Sequence, residues 1–90
     1  MIMGTVAVTF KLMPESADVD LAPIKESIRK TVARHSEMQL KAVEEKPIAF
    51  GLKSLDILII MPDGSLSTLE EELSKIEGVA SVEAGNVTLI

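Results

Sequence analysis

Few side chains in this sequence have the types and spacing that acid–base or metal chemistry requires. The single histidine, His35, follows the end of a predicted helix, where the dipole favours a solvated cation over a general base. Asp18 and Asp20 lack the alternating ligands of a calcium loop, so we expect Asp20 to cap a helix. The acidic run at 70–72 is typical of an exposed helix face. Because no P-loop, nucleophile elbow or zinc-protease motif occurs either, the sequence predicts no enzymatic activity and no bound metal or cofactor.

Composition restricts the partners that this chain can have. Its 90 residues predict one domain spanning 1–90, and without cysteine the stability must come from a single apolar core. The net charge of −5 and the presence of only two aromatic residues, Phe10 and Phe50, argue against direct nucleic-acid binding. No apolar stretch reaches the ~18 residues of a membrane span, and the N-terminus lacks a secretory signal. We therefore expect a cytoplasmic protein that binds no membrane, with Met1 and Ile2 as an upstream extension if Met3 is the true start.

Alternating or continuous apolar residues predict four strands. Their predicted ranges are 5–13, 37–46, 52–61 and 79–84, with 87–90 as a candidate continuation of the last strand. Pro14 ends the first strand because proline cannot donate a hydrogen bond to the ladder. The alternation of the second strand falters at Ala42 and Val43, which predicts a bulge or irregular pairing there.

Two helices are predicted between these strands. The first begins after Asp20 and carries an apolar stripe with spacings of three and four, formed by Leu21, Ile24, Ile28 and Val32. The second is indicated by a capping box at Ser67 and Glu70, and Gly78 is placed to cap its C-terminus. The resulting β-α-β-β-α-β order favours an α+β, ferredoxin-like sandwich, in which a four-stranded antiparallel sheet carries both helices on one face. Right-handed crossovers would place the first and third strands, which are the most apolar, at the centre of the sheet.

The connection between the second and third strands is unusual for a hairpin. Hairpin tips normally carry Asn, Asp, Gly or Ser, whereas residues 47–52 read Pro-Ile-Ala-Phe-Gly-Leu. Either these residues fold back under the sheet, or they present an apolar surface to a partner. The pattern alone favours neither alternative, because Ile48 or Phe50 could also cover an end of the sheet.

Several short motifs in the chain resemble the archaeal elongation factor 1-beta family. They are MPES at 13–16, DVDL at 18–21, PIAFGLK at 47–53, IEGV at 76–79 and SVE at 81–83. The resemblance covers almost the whole chain, and PIAFGLK, which is also characteristic of the exchange domain of the eukaryotic factor, is its most specific part. It implies a ferredoxin-like fold and a guanine-nucleotide exchange factor for elongation factor 1-alpha, the GTPase that delivers aminoacyl-tRNA to the ribosome.

The resemblance also implies which residues meet the GTPase. In the family, the aromatic residue of the hairpin inserts into the GTPase domain, and that role falls here on Phe50, with Lys53 as a charge at the rim. Eukaryotic relatives carry a lysine one residue before the C-terminus, which reaches toward the magnesium site, whereas Leu89 holds that place here. We therefore expect displacement of the nucleotide by packing rather than by a cation. The candidate partner-binding residues are Pro47, Ile48, Ala49, Phe50, Gly51, Leu52, Lys53, Leu89 and Ile90.

A different class of function that this fold can host is a small-molecule-sensing or regulatory module. Such a module is expected to carry a glycine-rich or polar loop between the first strand and the first helix, where backbone amides converge on the ligand. Residues 14–20 contain no glycine and are acidic, which disfavours this alternative. A metabolite-dependent shift in melting temperature would favour sensing, and capture of a translation GTPase would favour exchange.

Overall fold

The strands and helices occur in the predicted order. The computed structural model describes residues 4–89, apart from the side chain of Phe50. Its elements are β1 (Thr5–Pro14), α1 (Leu21–Ala33), β2 (Gln39–Pro47), β3 (Lys53–Pro62), α2 (Leu66–Ser74) and β4 (Val79–Leu89). One short 3₁₀ turn, Ala49–Gly51, lies between β2 and β3. The interpretations that concern Met1, Ile2 and Ile90 lie outside the described residues.

The strands form one antiparallel sheet in the order β2-β3-β1-β4. The central pair, β1 and β3, runs from Thr5 opposite Pro62 to Leu12 opposite Leu55. In both central strands every second residue is buried, as expected when one sheet face is covered by helices. The ferredoxin-like sandwich and the central position of the first and third strands are therefore confirmed.

A single apolar core joins the sheet to both helices. Each central strand contributes its inward-facing residues, and each helix contributes one apolar stripe. Burial of each large side chain contributes about 1.5–3 kcal/mol, so this core is the main favourable term in a chain without disulfides. The core residues are Val6, Val8, Phe10, Leu12, Ile24, Ile28, Val32, Met38, Leu55, Ile57, Ile59, Met61, Leu69, Leu73 and Val79.

Helix α1 begins where the sequence predicts. The backbone of Asp20 is extended, and its side chain accepts a hydrogen bond of 3.0 Å from the backbone N–H of Ala22. This bond satisfies one of the amides that every helix leaves unpaired at its N-terminus. The predicted stripe is also confirmed, since Ile24, Ile28 and Val32 are buried.

Helix α2 begins earlier than predicted. Its first residue is Leu66, and Ser65 occupies the N-cap position without a capping hydrogen bond from its side chain. The expected capping box at Ser67 and Glu70 is therefore wrong. The turn that follows β3 is tied to the residue before β1 at the same end of the sheet, because the N–H of Asp63 donates to the carbonyl of Gly4 across 2.8 Å. The helix begins directly after this turn.

Gly78 serves the turn into β4 rather than the end of α2. The helix ends at Ser74, so the predicted C-terminal cap at Gly78 is wrong. The backbone φ of Gly78 is +92°, and a Cβ added there would lie 3.2 Å from Val19 and 3.3 Å from Ile24. Both the dihedral angle and the close approach of the first loop require glycine at this position.

The edge strands both contain an irregularity. In β2 the register shifts between Leu40 and Ala42, which confirms the predicted faltering of that strand. In β4, Gly85 and Asn86 together lie opposite Thr9 of β1, and a Cβ on Gly85 would lie 3.2 Å from the Thr9 carbonyl oxygen. Beyond this bulge the strand continues to Leu89, so the expected continuation is confirmed as far as that residue.

Candidate partner-binding site

The connection between β2 and β3 is a tight, internally hydrogen-bonded turn. The N–H of Ile48 donates to the carbonyl of Leu52 across 2.8 Å, and the N–H of Leu52 donates to the carbonyl of Ala49 across 3.3 Å. Gly51 has a φ of +76°, a conformation that glycine adopts without steric cost. These bonds and this dihedral fix the shape of the tip, which has Phe50 at the middle of its 3₁₀ turn.

The tip and the flanks of this segment differ in solvent exposure. Ala49 and Gly51, on either side of Phe50, are exposed, whereas Ile48 and Leu52 are half-buried. Both flanking side chains are therefore partly covered, whereas the two positions next to the middle of the turn are open to solvent. The side chain of Phe50, on which the choice between the two alternatives depends, lies outside the described part of the structure. Pro47 and Lys53, the last paired residues of the strands, are also exposed.

The hairpin lies close to the start of helix α1. A cleft of about 310 Å³ lies between them, and its lining includes Ala17, Asp20, Lys25, Glu45, Gly51 and Lys53. A Cβ added at Gly51 would lie 4.0 Å from the Cβ of Ala17, so the turn and the first loop are in close proximity. Across the cleft, the ammonium group of Lys25 forms an ion pair with the carboxylate of Glu45. No sequence pattern pointed to these two residues, because they are 20 positions apart in the chain.

The C-terminal part of β4 presents a second apolar surface. Leu89 is 71% exposed and Val87 is 53% exposed, and both belong to β4, which is an edge strand of the sheet formed by the described residues. Leu89 was a predicted site residue, whereas Val87 was not. The strand order could have indicated Val87, because an apolar residue near the end of an edge strand has little to cover it.

The two predicted parts of the site lie at opposite ends of the sheet. Leu89 pairs with Val6 near the start of β1, whereas the hairpin lies beyond Leu55, which pairs with Leu12 near the end of β1. At about 3.3 Å per strand residue, the hairpin and Leu89 are on the order of 30 Å apart. The molecule is elongated in agreement with this, with extents of 48 × 22 × 18 Å. The residues therefore form two separate surfaces and not one pocket.

Comparison with known proteins assigns this elongated domain to a family. The family model described as "EF-1 guanine nucleotide exchange domain" matches residues 7–90. The chain belongs to this family. It is 42% identical over 87 residues to "Elongation factor 1-beta" of Methanothermobacter thermautotrophicus, an alignment that covers 94% of this chain and 96% of that protein. It is 46% identical over 83 residues to the protein of the same name from Methanobrevibacter smithii, with 90% and 91% covered. The resemblance inferred from the motifs is thus confirmed, and with it a role in guanine-nucleotide exchange.

Solved structures confirm the fold of this exchange domain. The ACT domain of a GTP pyrophosphokinase from Chlorobium tepidum superimposes with a TM-score of 0.63 and 18% sequence identity. The superposition covers 88% of this chain and 96% of that one. At this level of identity the likeness shows a shared fold, and the function of an exchange domain does not follow from it.

The side chains that could perform chemistry have structural roles in the exchange domain. His35 was predicted to be a solvated cation, but its side chain is only 21% exposed and its Nε2 lies 2.8 Å from Oε2 of Glu72. Arg34 lies 3.4 Å from the same carboxylate, so the end of α1 is tied to α2. Within residues 4–89, no cluster of three or more acidic or histidine side chains could hold a metal ion. None of the described helices is long and apolar enough to cross a membrane.

Proposed function

We propose that the protein promotes the exchange of GDP for GTP on elongation factor 1-alpha by inserting the tip of the β2–β3 hairpin into the GTPase. The observation that carries the proposal is the tight turn at residues 49–51, whose backbone is held by its own hydrogen bonds and whose Ala49 and Gly51 are exposed. A rigid apolar tip fits a pocket on a partner at low entropic cost. Phe50 is the residue that would fill the pocket. The positive φ of Gly51 lets the backbone turn directly after it.

Such a factor needs no covalent chemistry. It binds a state of the GTPase that holds nucleotide poorly. Linkage then requires that bound GDP lowers the affinity of the GTPase for the factor by the same ratio as the bound factor lowers its affinity for GDP. Most of the affinity for GDP resides in contacts with its phosphates and the magnesium ion, so the hairpin must disturb that end of the nucleotide site. The reaction therefore calls for no catalytic residue and no cofactor on this chain.

The exposed end of β4 is proposed as a second contact with the GTPase. Leu89 and Val87 are apolar and exposed, and the apolar Ile90 follows them in the sequence. No cation occupies the place of the eukaryotic lysine, so this contact acts by packing. Because it lies on the order of 30 Å from the hairpin, the factor would span a considerable part of its partner.

Release of a fluorescent GDP analogue from the cognate elongation factor 1-alpha tests the proposal. We expect Phe50→Ala to lower the exchange rate per unit of factor about thirty-fold, the loss typical of a buried aromatic anchor worth ~2 kcal/mol. Leu40→Ala is the matched control, because it removes a half-buried apolar side chain from β2 away from the tip. Parental exchange by a folded Phe50→Ala variant would refute hairpin insertion.

Removal of the last two residues tests the second contact in the same assay. Deleting Leu89 and Ile90 takes away apolar surface at the far end of the sheet while leaving the hairpin intact. We expect the half-saturating concentration of the factor to rise several-fold, since lost contacts of this kind chiefly weaken association. An unchanged half-saturating concentration would exclude this end of the sheet from the interface.

A further inference from the structure

The base of the hairpin is linked to helix α1 by an ion pair. The ammonium group of Lys25, in the second turn of the helix, donates to Oε2 of Glu45, which lies two residues before Pro47 in β2. Their side chains are 29% and 36% exposed, so the pair lies partly within the cleft. Within residues 4–89, β2 is an edge strand that pairs only with β3. The ion pair gives it a second connection, from the helix-covered face of the sheet to α1.

A second cation lies on the same face of the sheet. Glu45 pairs with Leu55 across the ladder, so Lys53, two residues earlier in β3, is its diagonal neighbour on that face. The hydrogen bond from Lys25 lowers the pKa of the Glu45 carboxyl, and the charges of Lys25 and Lys53 lower it further against partial desolvation. The Glu45 carboxylate therefore bonds to a cation of α1 and lies near a second cation at the start of β3.

Hydrogen bonds within the turn do not fix its direction. The bonds of Ile48 and Leu52 join residues of the turn to each other, so they do not set the angle of the hairpin to the helices. A hairpin that is held less firmly opens these bonds more often, and the exchange of their amides reports this opening. The ladder carries the hairpin along the sheet as far as the pair of Pro47 and Lys53. Tilting toward or away from the helices is limited by contacts with the layer beside it, namely the ion pair across the cleft and the proximity of Gly51 to Ala17. A hairpin that pivots freely must be ordered when it binds, at a cost in affinity.

We propose that Lys25, Glu45 and Lys53 form a positioning cluster that holds the hairpin at a fixed angle to the helices before the GTPase binds. The inference rests on the proposed function, in which the tip of this hairpin meets the GTPase. The cluster acts through the hairpin and touches neither nucleotide nor magnesium. Its loss therefore weakens association and leaves the maximal exchange rate intact, because the bound GTPase imposes the same geometry.

Exchange kinetics at varied concentrations of the full-length factor test the positioning cluster. We expect Lys25→Met and Glu45→Gln each to raise the half-saturating concentration about two- to fivefold, the range for a partly exposed ion pair, with the maximal rate unchanged. The double variant should be no worse than either single variant, because both remove the same interaction. Lys25→Arg should restore parental behaviour, and Arg29→Met should preserve it, since it removes a cation one turn further along the same helix.

Amide hydrogen exchange of the isolated protein provides a readout that needs no GTPase. We expect the protection factors of the Ile48 and Leu52 amides to fall in Lys25→Met and to remain parental in Arg29→Met. Parental protection together with a parental half-saturating concentration in Lys25→Met would overturn the positioning cluster. Parental exchange by Phe50→Ala would instead overturn the proposed function alone, because protection in the isolated protein does not depend on the partner.

Discussion

Substituting alanine for Gly51 tests the geometry of the hairpin without removing apolar surface. The φ of Gly51 is +76°, and forcing a residue with a Cβ into this region costs about 1–2 kcal/mol. A methyl group would find Ala17 at 4.0 Å, which is ordinary contact, so crowding adds little. The lower entropy of the unfolded chain offsets about 0.4–1 kcal/mol of the strain. The net loss is about 1 kcal/mol, which lowers the melting temperature of a domain of this size by about 4–8 °C.

Gly64 offers a matched control at the other end of the sheet. Its φ is +97° and no atom lies within 4 Å of the place that a Cβ would take, so Gly64→Ala should cost about the same stability. Thermal unfolding of both variants measures the loss of stability that the strain causes. Release of a fluorescent GDP analogue from the GTPase measures its effect on nucleotide exchange. We expect both variants to be equally destabilised but only Gly51→Ala to slow release several-fold, because only that strain reshapes the tip. Equal release by the two variants at matched stability would refute the argument that the tip requires this turn.

Two further predictions concern single hydrogen-bonded carboxylates. Asp20→Ala should lower the free energy of unfolding, measured by chemical denaturation, by about 1 kcal/mol, because the Ala22 amide loses its hydrogen-bond acceptor. Asp18→Ala, at an exposed position, should change it little. The stabilisation of the hairpin by the ionised Glu45 carboxylate is fully present above the ordinary glutamate pKa. It is lost as the pH falls through the lowered pKa of the folded state. Protection of the hairpin amides should therefore decline below about pH 4.5 in the parent, and a Glu45→Gln variant with the same decline would contradict this assignment.

The core and the order of the elements could be predicted from local patterns. Alternation in β1 and the spacing of Ile24, Ile28 and Val32 in α1 depend on the geometry of one strand or one helix, which neighbouring residues determine. The start of α2 was predicted wrongly for the same reason. A local capping box indicated Ser67, but the helix begins at Leu66, directly after a turn whose Asp63 N–H bonds to the distant Gly4 carbonyl.

The candidate site shows the same division between local and distant interactions. The apolar hairpin at residues 47–53 is unusual in its own sequence, and its motif resembles a family that the comparisons confirm. The partial burial of Ile48 depends instead on which distant parts of the chain lie around the hairpin. Sequence alone left that question open, because either orientation is compatible with the same composition.

By itself, the sequence determined the ferredoxin-like order of elements, the residues of the core, the capped start of α1 and the exchange-domain family. These follow from periodicity, capping chemistry and motifs, each of which is contained within a few neighbouring residues. Tertiary structure alone decided that the hairpin and Leu89 lie at opposite ends of the sheet, and that Lys25 meets Glu45. Strand register and helix packing set these relations, and both arise from contacts between residues that are distant along the chain.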